Sequence, residues 1–228
     1  MKGKVSKNKF LKVVLPALLV VAIICQAVGF QAVLAKGNVA TTSSDSISNL
    51  TDQQLQALTN PILQSYKADS SHKVWKMTND SRLAVLANQT NIENARLQEV
   101  VKLVNSEFVE KEIISSPLAM VYAQEKDVSY GDILIDIDQT SSITSSSNSK
   151  EAYKITIGEN GVRLTGASEN AIMHGLRTIQ NLIITNDGLV YGEIVDYPNV
   201  AERRVHVDCA RKYISKDWFI RQIREISY

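Results

Sequence analysis

The chain has 228 residues, 44% of them hydrophobic and 21% charged, with ten glycines and four prolines. These values exclude wholesale disorder, collagen-like repeats and proline-rich architectures, and they set one or two globular domains as the expectation. The net charge is +1, but five of the 25 basic residues lie in the first 35 positions, which hold no acid; the remainder carries 20 basic against 24 acidic residues, or −4. A body of that sign lacks the basic footprint of a nucleic-acid binder.

Lys2, Lys4, Lys7, Lys9 and Lys12 precede an apolar run that ends in Val33-Leu34-Ala35. A basic start, an apolar middle and a small-x-small end are the marks of a secretory signal, with cleavage expected after Ala35. Uncleaved, the same run is long enough to span a bilayer, so the N-terminus could also hold the chain at a membrane or cell wall. The lysine-rich start points to a bacterial protein, secreted or at the cell surface. Asn49, Asn79 and Asn88 head Asn-x-Ser/Thr sites that matter only in a host that glycosylates them. After the signal, Cys209 is the one cysteine left, which excludes an intramolecular disulfide and makes a buried small hydrophobe its expected role.

Residues 36–74 read as a linker or ordered tail. The first part is polar and rich in Ser and Thr, and the spacing over 51–70 is only loosely helical, with Pro61 interrupting. Residues 75–195 carry firmer signals. Arg82–Leu86 reads as a strand, Asn94–Phe108 as an amphipathic helix and Ile133–Ile137 as a strand, with a Ser-rich loop over 139–149. Tyr153, Ile155 and Ile157 alternate with polar residues, and so do Val162 and Leu164 after Gly158-Glu159-Asn160-Gly161. Asn-Gly between alternating runs is a strong hairpin signal, because both residues tolerate positive φ. A helix follows over about 169–185, with Ser168 as N-cap and Gly188 past its end. Leu189–Val195 closes the unit as a strand. Strands and helices mixed without strict alternation predict an α+β fold, an antiparallel sheet with helices on one face.

A second unit begins near Asp196. Val205–Asp208 reads as a strand, and Ser215 as the N-cap of a helix with Phe219, Ile223 and Ile226 on one face. The chain ends inside that helix, so a longer protein or a truncated product is expected. Other candidates carry little chemistry. Asp136 and Asp138 are expected to be solvated. His72, His174 and His206 have no mutual metal-ligand spacing. Trp75 and Trp218 are expected to pack rather than to form a sugar platform.

Two segments resemble glycoside hydrolase family 20, the β-N-acetylhexosaminidases. Glu151–Ile183 is similar to the last hairpin and helix of the small α+β domain that precedes the catalytic barrel in that family. Asp196–Ile223 is similar to the start of the barrel: an Asp-x-Pro, an Arg, a strand ending in Asp208-Cys209-Ala210-Arg211, then a capped helix. Arg204 stands where the family commonly has Gly, and Lys212 where it often has His. The resemblance implies that residues 196–228 are the first strand and helix of a truncated (β/α)8 barrel, a fold of about 250 residues. It implies that Arg211, at the barrel mouth, grips hydroxyls of a terminal N-acetylhexosamine. It implies a retaining mechanism in which the substrate's 2-acetamido oxygen attacks the anomeric carbon, assisted by an Asp-Glu pair that lies downstream in the family and has no counterpart here. No cofactor and no metal are implied, the partner is an N-acetylhexosamine-containing glycan, and the 228 residues alone are expected to be inactive. The rival expectation is a non-catalytic secreted module that binds carbohydrate or acts as a scaffold.

Overall fold

The computed structural model describes residues 47–138, 143, 149–200, 202–209 and 213–227. The signal at 1–35, Arg211 and nearly all of the Ser-rich loop lie outside the described residues. Among the described residues no helix is long and apolar enough to cross a membrane.

The elements in chain order begin with α1 (Asp52–Gln56), β1 (Ser65–Ala68), β2 (Val74–Trp75) and β3 (Arg82–Leu86). Next come α2 (Gln89–Ile92), α3 (Ala95–Glu110), β4 (Ala119–Ala123) and β5 (Ile133–Ile137). The hairpin β6 (Tyr153–Gly158) and β7 (Gly161–Gly166) precedes α4 (Glu169–Asn186), β8 (Leu189–Val190) and β9 (Gly192–Asp196), and α5 (Lys216–Ser227) comes last. Seven strands form one sheet in the order β1-β9-β6-β7-β5-β3-β4, and β2 pairs with β8 apart from it.

The sheet is mixed, which corrects the expectation of an antiparallel one. From β7 through β6 and β9 to β1 the pairing is antiparallel, whereas β7, β5, β3 and β4 run parallel. The cause is α3, which carries the chain from β3 back over the sheet to β4 in the same direction. Alternate strand residues divide the two faces. Leu83, Val85, Ile133, Ile135, Ile155 and Leu164 join Leu97, Val104 and Phe108 of α3 and Ile172, Leu176 and Ile179 of α4 in the main core. Their neighbours Ala84 and Leu134 form a smaller cluster with Ala123 on the opposite face. Both long helices therefore cover one face, as expected.

Residues 47–74 belong to the fold. A capping box between Thr51 and Gln54 starts α1. Ile47, Leu55, Leu63 and Tyr66 enter the main core, and the Tyr66 hydroxyl donates to the Val190 carbonyl at 2.7 Å. The segment expected as a linker or ordered tail thus supplies an edge strand.

The hairpin forms where expected, with Gly158 opposite Gly161. Its turn residues are Glu159 and Asn160, and only Gly161 has positive φ, at 89°. A left-handed Gly after the turn is the pattern of a three-residue hairpin loop. Ser168 caps α4 by accepting from the Ala171 amide at 3.3 Å. The left-handed position at the other end is taken by Asp187 (φ 58°), not by Gly188. Gly188 is needed for a different reason: a Cβ there would stand 2.7 Å from the Trp75 carbonyl oxygen.

Candidate functional site

The chain leaves the sheet through a polar cluster. The Asp196 carboxylate at the end of β9 accepts from the Tyr153 hydroxyl at 2.8 Å and from the Gln64 amide at 3.1 Å. Tyr153 and Thr178 hydroxyls are 2.6 Å apart, and burial pushes the Tyr153 phenol well above its ordinary range. The Gln64 side chain donates to the Tyr197 carbonyl (3.2 Å) and to Asn199 (2.8 Å). Further on, Arg203 donates to the Val200 carbonyl at 2.8 Å and to the Glu151 carboxylate at 2.6 Å. The other Glu151 oxygen stands 3.9 Å from Nε2 of His174. Burial lowers the His174 pKa, and that effect outweighs the Glu151 carboxylate. The arrangement fixes the direction of the exit.

Beyond Arg203 the ties to the domain thin out. Residues 202–209 are exposed, and Val205–Asp208, expected as a strand, form no ladder among the described residues. A strand needs a partner for its backbone groups, and none of the seven sheet strands pairs with this segment. Val205 is 62% exposed and Val207 36%. Cys209 is also exposed, which corrects the expectation of a buried thiol: its burial needed that missing neighbour strand. Arg211, expected to grip the sugar, lies outside the described residues. The helix after it forms as expected. Ser215 accepts from the Trp218 amide at 3.2 Å, and the Trp218 and Phe219 rings meet edge-on at 5.3 Å.

Sequence reasoning missed a buried polar network beside the parallel strands. Asp136, expected to be solvated, is 6% exposed. It accepts from Asn91 (3.0 Å), Asn88 (3.3 Å) and Arg163 (3.3 Å), and Arg163 also pairs with Glu125. Asn88 caps α2 by accepting from the Asn91 amide at 2.8 Å, and Asn91 accepts from the Ile137 amide at 3.3 Å. The network ties the ends of β3 and β5 to β7. The sequence signal was the Asn88-x-x-Asn91 spacing, a helix start directly after a strand. Two more ion pairs are structural. Arg82 holds Asp132 at 2.9 and 2.5 Å, and Arg177 holds Glu107 at 3.2 and 2.8 Å between α4 and α3. Burial pushes the Asp132 carboxyl up, but Arg82 and the amide and hydroxyl of Ser129 outweigh it and leave it below the ordinary aspartate value. Among the described residues no group of three or more His, Cys, Asp or Glu could hold a metal ion.

The mixed sheet under two helices has the α+β fold of a domain found in solved glycosidases. The similarity covers 78% of the chain and 26% of the Flavobacterium johnsoniae chitobiase, at 16% identity and a TM-score of 0.58. It covers 78% of the chain and 33% of the Streptomyces plicatus N-acetyl-β-hexosaminidase, at 16% identity and a TM-score of 0.57. The family follows from sequence. A model of glycosyl hydrolase family 20, domain 2, matches residues 59–197, well over half of the chain. The chain therefore belongs to glycosyl hydrolase family 20, a glycoside hydrolase lineage. Beta-hexosaminidase B of Pseudoalteromonas piscicida is 29% identical over 76 residues, which is 33% of this chain and 10% of that protein. The chain thus spans about a tenth of its curated relative.

Proposed function

We propose that the chain is the N-terminal part of a secreted β-N-acetylhexosaminidase that removes terminal N-acetylhexosamine from glycans. The observation that carries this is the domain 2 match over residues 59–197, followed at once by the Asp208-Cys209-Ala210-Arg211 segment that resembles the start of the family's barrel. The S. plicatus β-hexosaminidase, in a mutant form, is known in complex with its product, N-acetylglucosamine. The residues here support parts of the task. Arg203 and Glu151 clamp the chain where it leaves the domain, so the segment that follows starts from a fixed point. Arg211 presents a planar fork that spans two adjacent hydroxyls of the sugar. The acetamido oxygen of the substrate acts as nucleophile, and the acid pair that assists it belongs to barrel segments beyond these 228 residues. The apolar N-terminus directs export, with cleavage after Ala35. No cofactor is required.

The purified 228-residue chain should release no nitrophenol from a nitrophenyl N-acetylglucosaminide, whereas a protein extended through a complete barrel should turn it over. In that longer enzyme Arg211→Ala should remove about 2–4 kcal/mol of transition-state binding, roughly 30- to 1,000-fold in kcat/KM. Arg211→Lys should recover only part of it. Turnover by the short chain, or wild-type kcat/KM in a folded Arg211→Ala enzyme, would overturn the corresponding claim.

A further inference from the structure

β4 ends the seven-stranded sheet, and among the described residues no strand pairs with its outer side. It reads Ala119-Met120-Val121-Tyr122-Ala123, without a charge or a proline, and Tyr122 is 47% exposed. Edge strands of monomeric proteins are blunted by lysine, proline, bulges or shortness. The opposite edge, β1, follows that rule, being four residues long with Lys67 among them. β4 does not.

The outward backbone groups can be assigned. The Ala123 carbonyl accepts from the Ala87 amide at 2.9 Å, so Ala123, and with it Val121 and Ala119, turn their backbone groups toward β3. Alternation leaves the N–H and C=O of Met120 and Tyr122 facing outward. Leu118, the previous residue in that outward series, is already satisfied. The Asn105 side chain donates to its carbonyl at 2.8 Å and accepts from its amide at 2.9 Å. The open window therefore holds two residues and four hydrogen-bonding groups.

We propose that β4 is a self-association edge, on which β4 of a second copy of this chain pairs antiparallel about a two-fold axis at Val121. In that register Met120 faces Tyr122 of the second copy as a doubly hydrogen-bonded pair, and the symmetric pair makes four bonds in all. Val121 meets its own copy on the axis, and Ala119 meets Ala123. The strand is palindromic in size about Val121, small at both ends and large at both inner positions. That self-complementarity commits the edge to a second copy rather than to a foreign strand. Met120 and Tyr122 bring a thioether against an aromatic ring. The strand itself carries no charge, so no like charges oppose within the paired register.

The test is disulfide trapping in the full chain with Cys25 and Cys209 replaced by Ser. Val121→Cys places two thiols across the axis at a Cα separation of about 4.5 Å, within the range that a disulfide spans. Ala119→Cys is the register control, because its two copies would stand about 14 Å apart. Mild oxidation should yield a dimer from Val121→Cys and none from Ala119→Cys. Adding Tyr122→Pro to Val121→Cys should abolish the dimer, since the lost N–H faces outward and the ladder to β3 keeps its bonds. Tyr122→Lys, which leaves the backbone intact, should abolish it too. No dimer at position 121, equal trapping at 119 and 121, a dimer that survives both Tyr122 variants, or trapping only to a protein of another mass would each overturn the proposal.

Discussion

Gln180 lies fully buried in α4, and neither polar atom of its carboxamide has a hydrogen-bond partner. A buried amide left unpaired costs about 1–3 kcal/mol, so Gln180→Leu, which keeps the volume and removes both polar atoms, should raise the melting temperature by about 2–4 °C per kcal/mol recovered. Thermal unfolding by circular dichroism measures it. The opposite sign is expected close by on the same helix. Glu107 and Arg177 are both buried and paired, and Glu107→Leu would take the carboxylate from the buried guanidinium at a cost of about 3–5 kcal/mol. Asp132 sets a pH dependence. Its folded carboxyl lies below the ordinary value, so the unfolded chain takes up the proton first. The stability it contributes is complete above about pH 4 and drains away as acid carries the pH down through the lower folded value. Arg82→Ala should flatten that acid limb in unfolding midpoints measured from pH 6 to pH 2, and an unchanged limb would show that Asp132 does not set it.

Elements that stabilise themselves locally are legible in the amino-acid sequence alone. The β6–β7 hairpin and α4 carry turn, cap and periodicity signals within a few residues of one another, and they form at nearly the expected bounds. β1 carries no such signal. Its four residues include a lysine, and only pairing with β9 makes them a strand. β4 is an unbroken apolar run, which has no period of its own to read. Without it the β3-α3-β4 crossover stays hidden, and with it the reason half of the sheet is parallel. The burial of Asp136 is illegible for a related cause. Its partners Asn88 and Asn91 are more than forty residues away in sequence, and Arg163 is nearly thirty. The seam between α4 and the hairpin makes a sharp prediction. A Cβ on Gly175 would stand 2.3 Å from a Leu164 methyl and 3.2 Å from the Tyr153 ring. Gly175→Val should therefore overpack that seam and cost about 1–3 kcal/mol, read from urea unfolding at an unchanged m-value.

Across the whole molecule, stability is unevenly spread. The sheet and its helices share one large core, whereas residues 202–209 are exposed and outside any ladder. Among the described residues, limited trypsin digestion should cut first after Arg204 and leave the preceding sheet protected, with mass spectrometry reading the boundary. Prior cleavage within β6 or β7 would contradict that order. The candidate sugar contact at Arg211 is legible only through family likeness, because no local physical signal distinguishes it from any other surface arginine. The bonds from Gln64 to Tyr197 and Asn199 carry a further meaning. They bring the start of the first sheet strand beside the end of the last, so the backbone enters and leaves this sheet through a single doorway. Taken with the core segment from Ile47 onward, such a sheet works as a cassette: it can be spliced into a loop of another protein without any strand changing its neighbour.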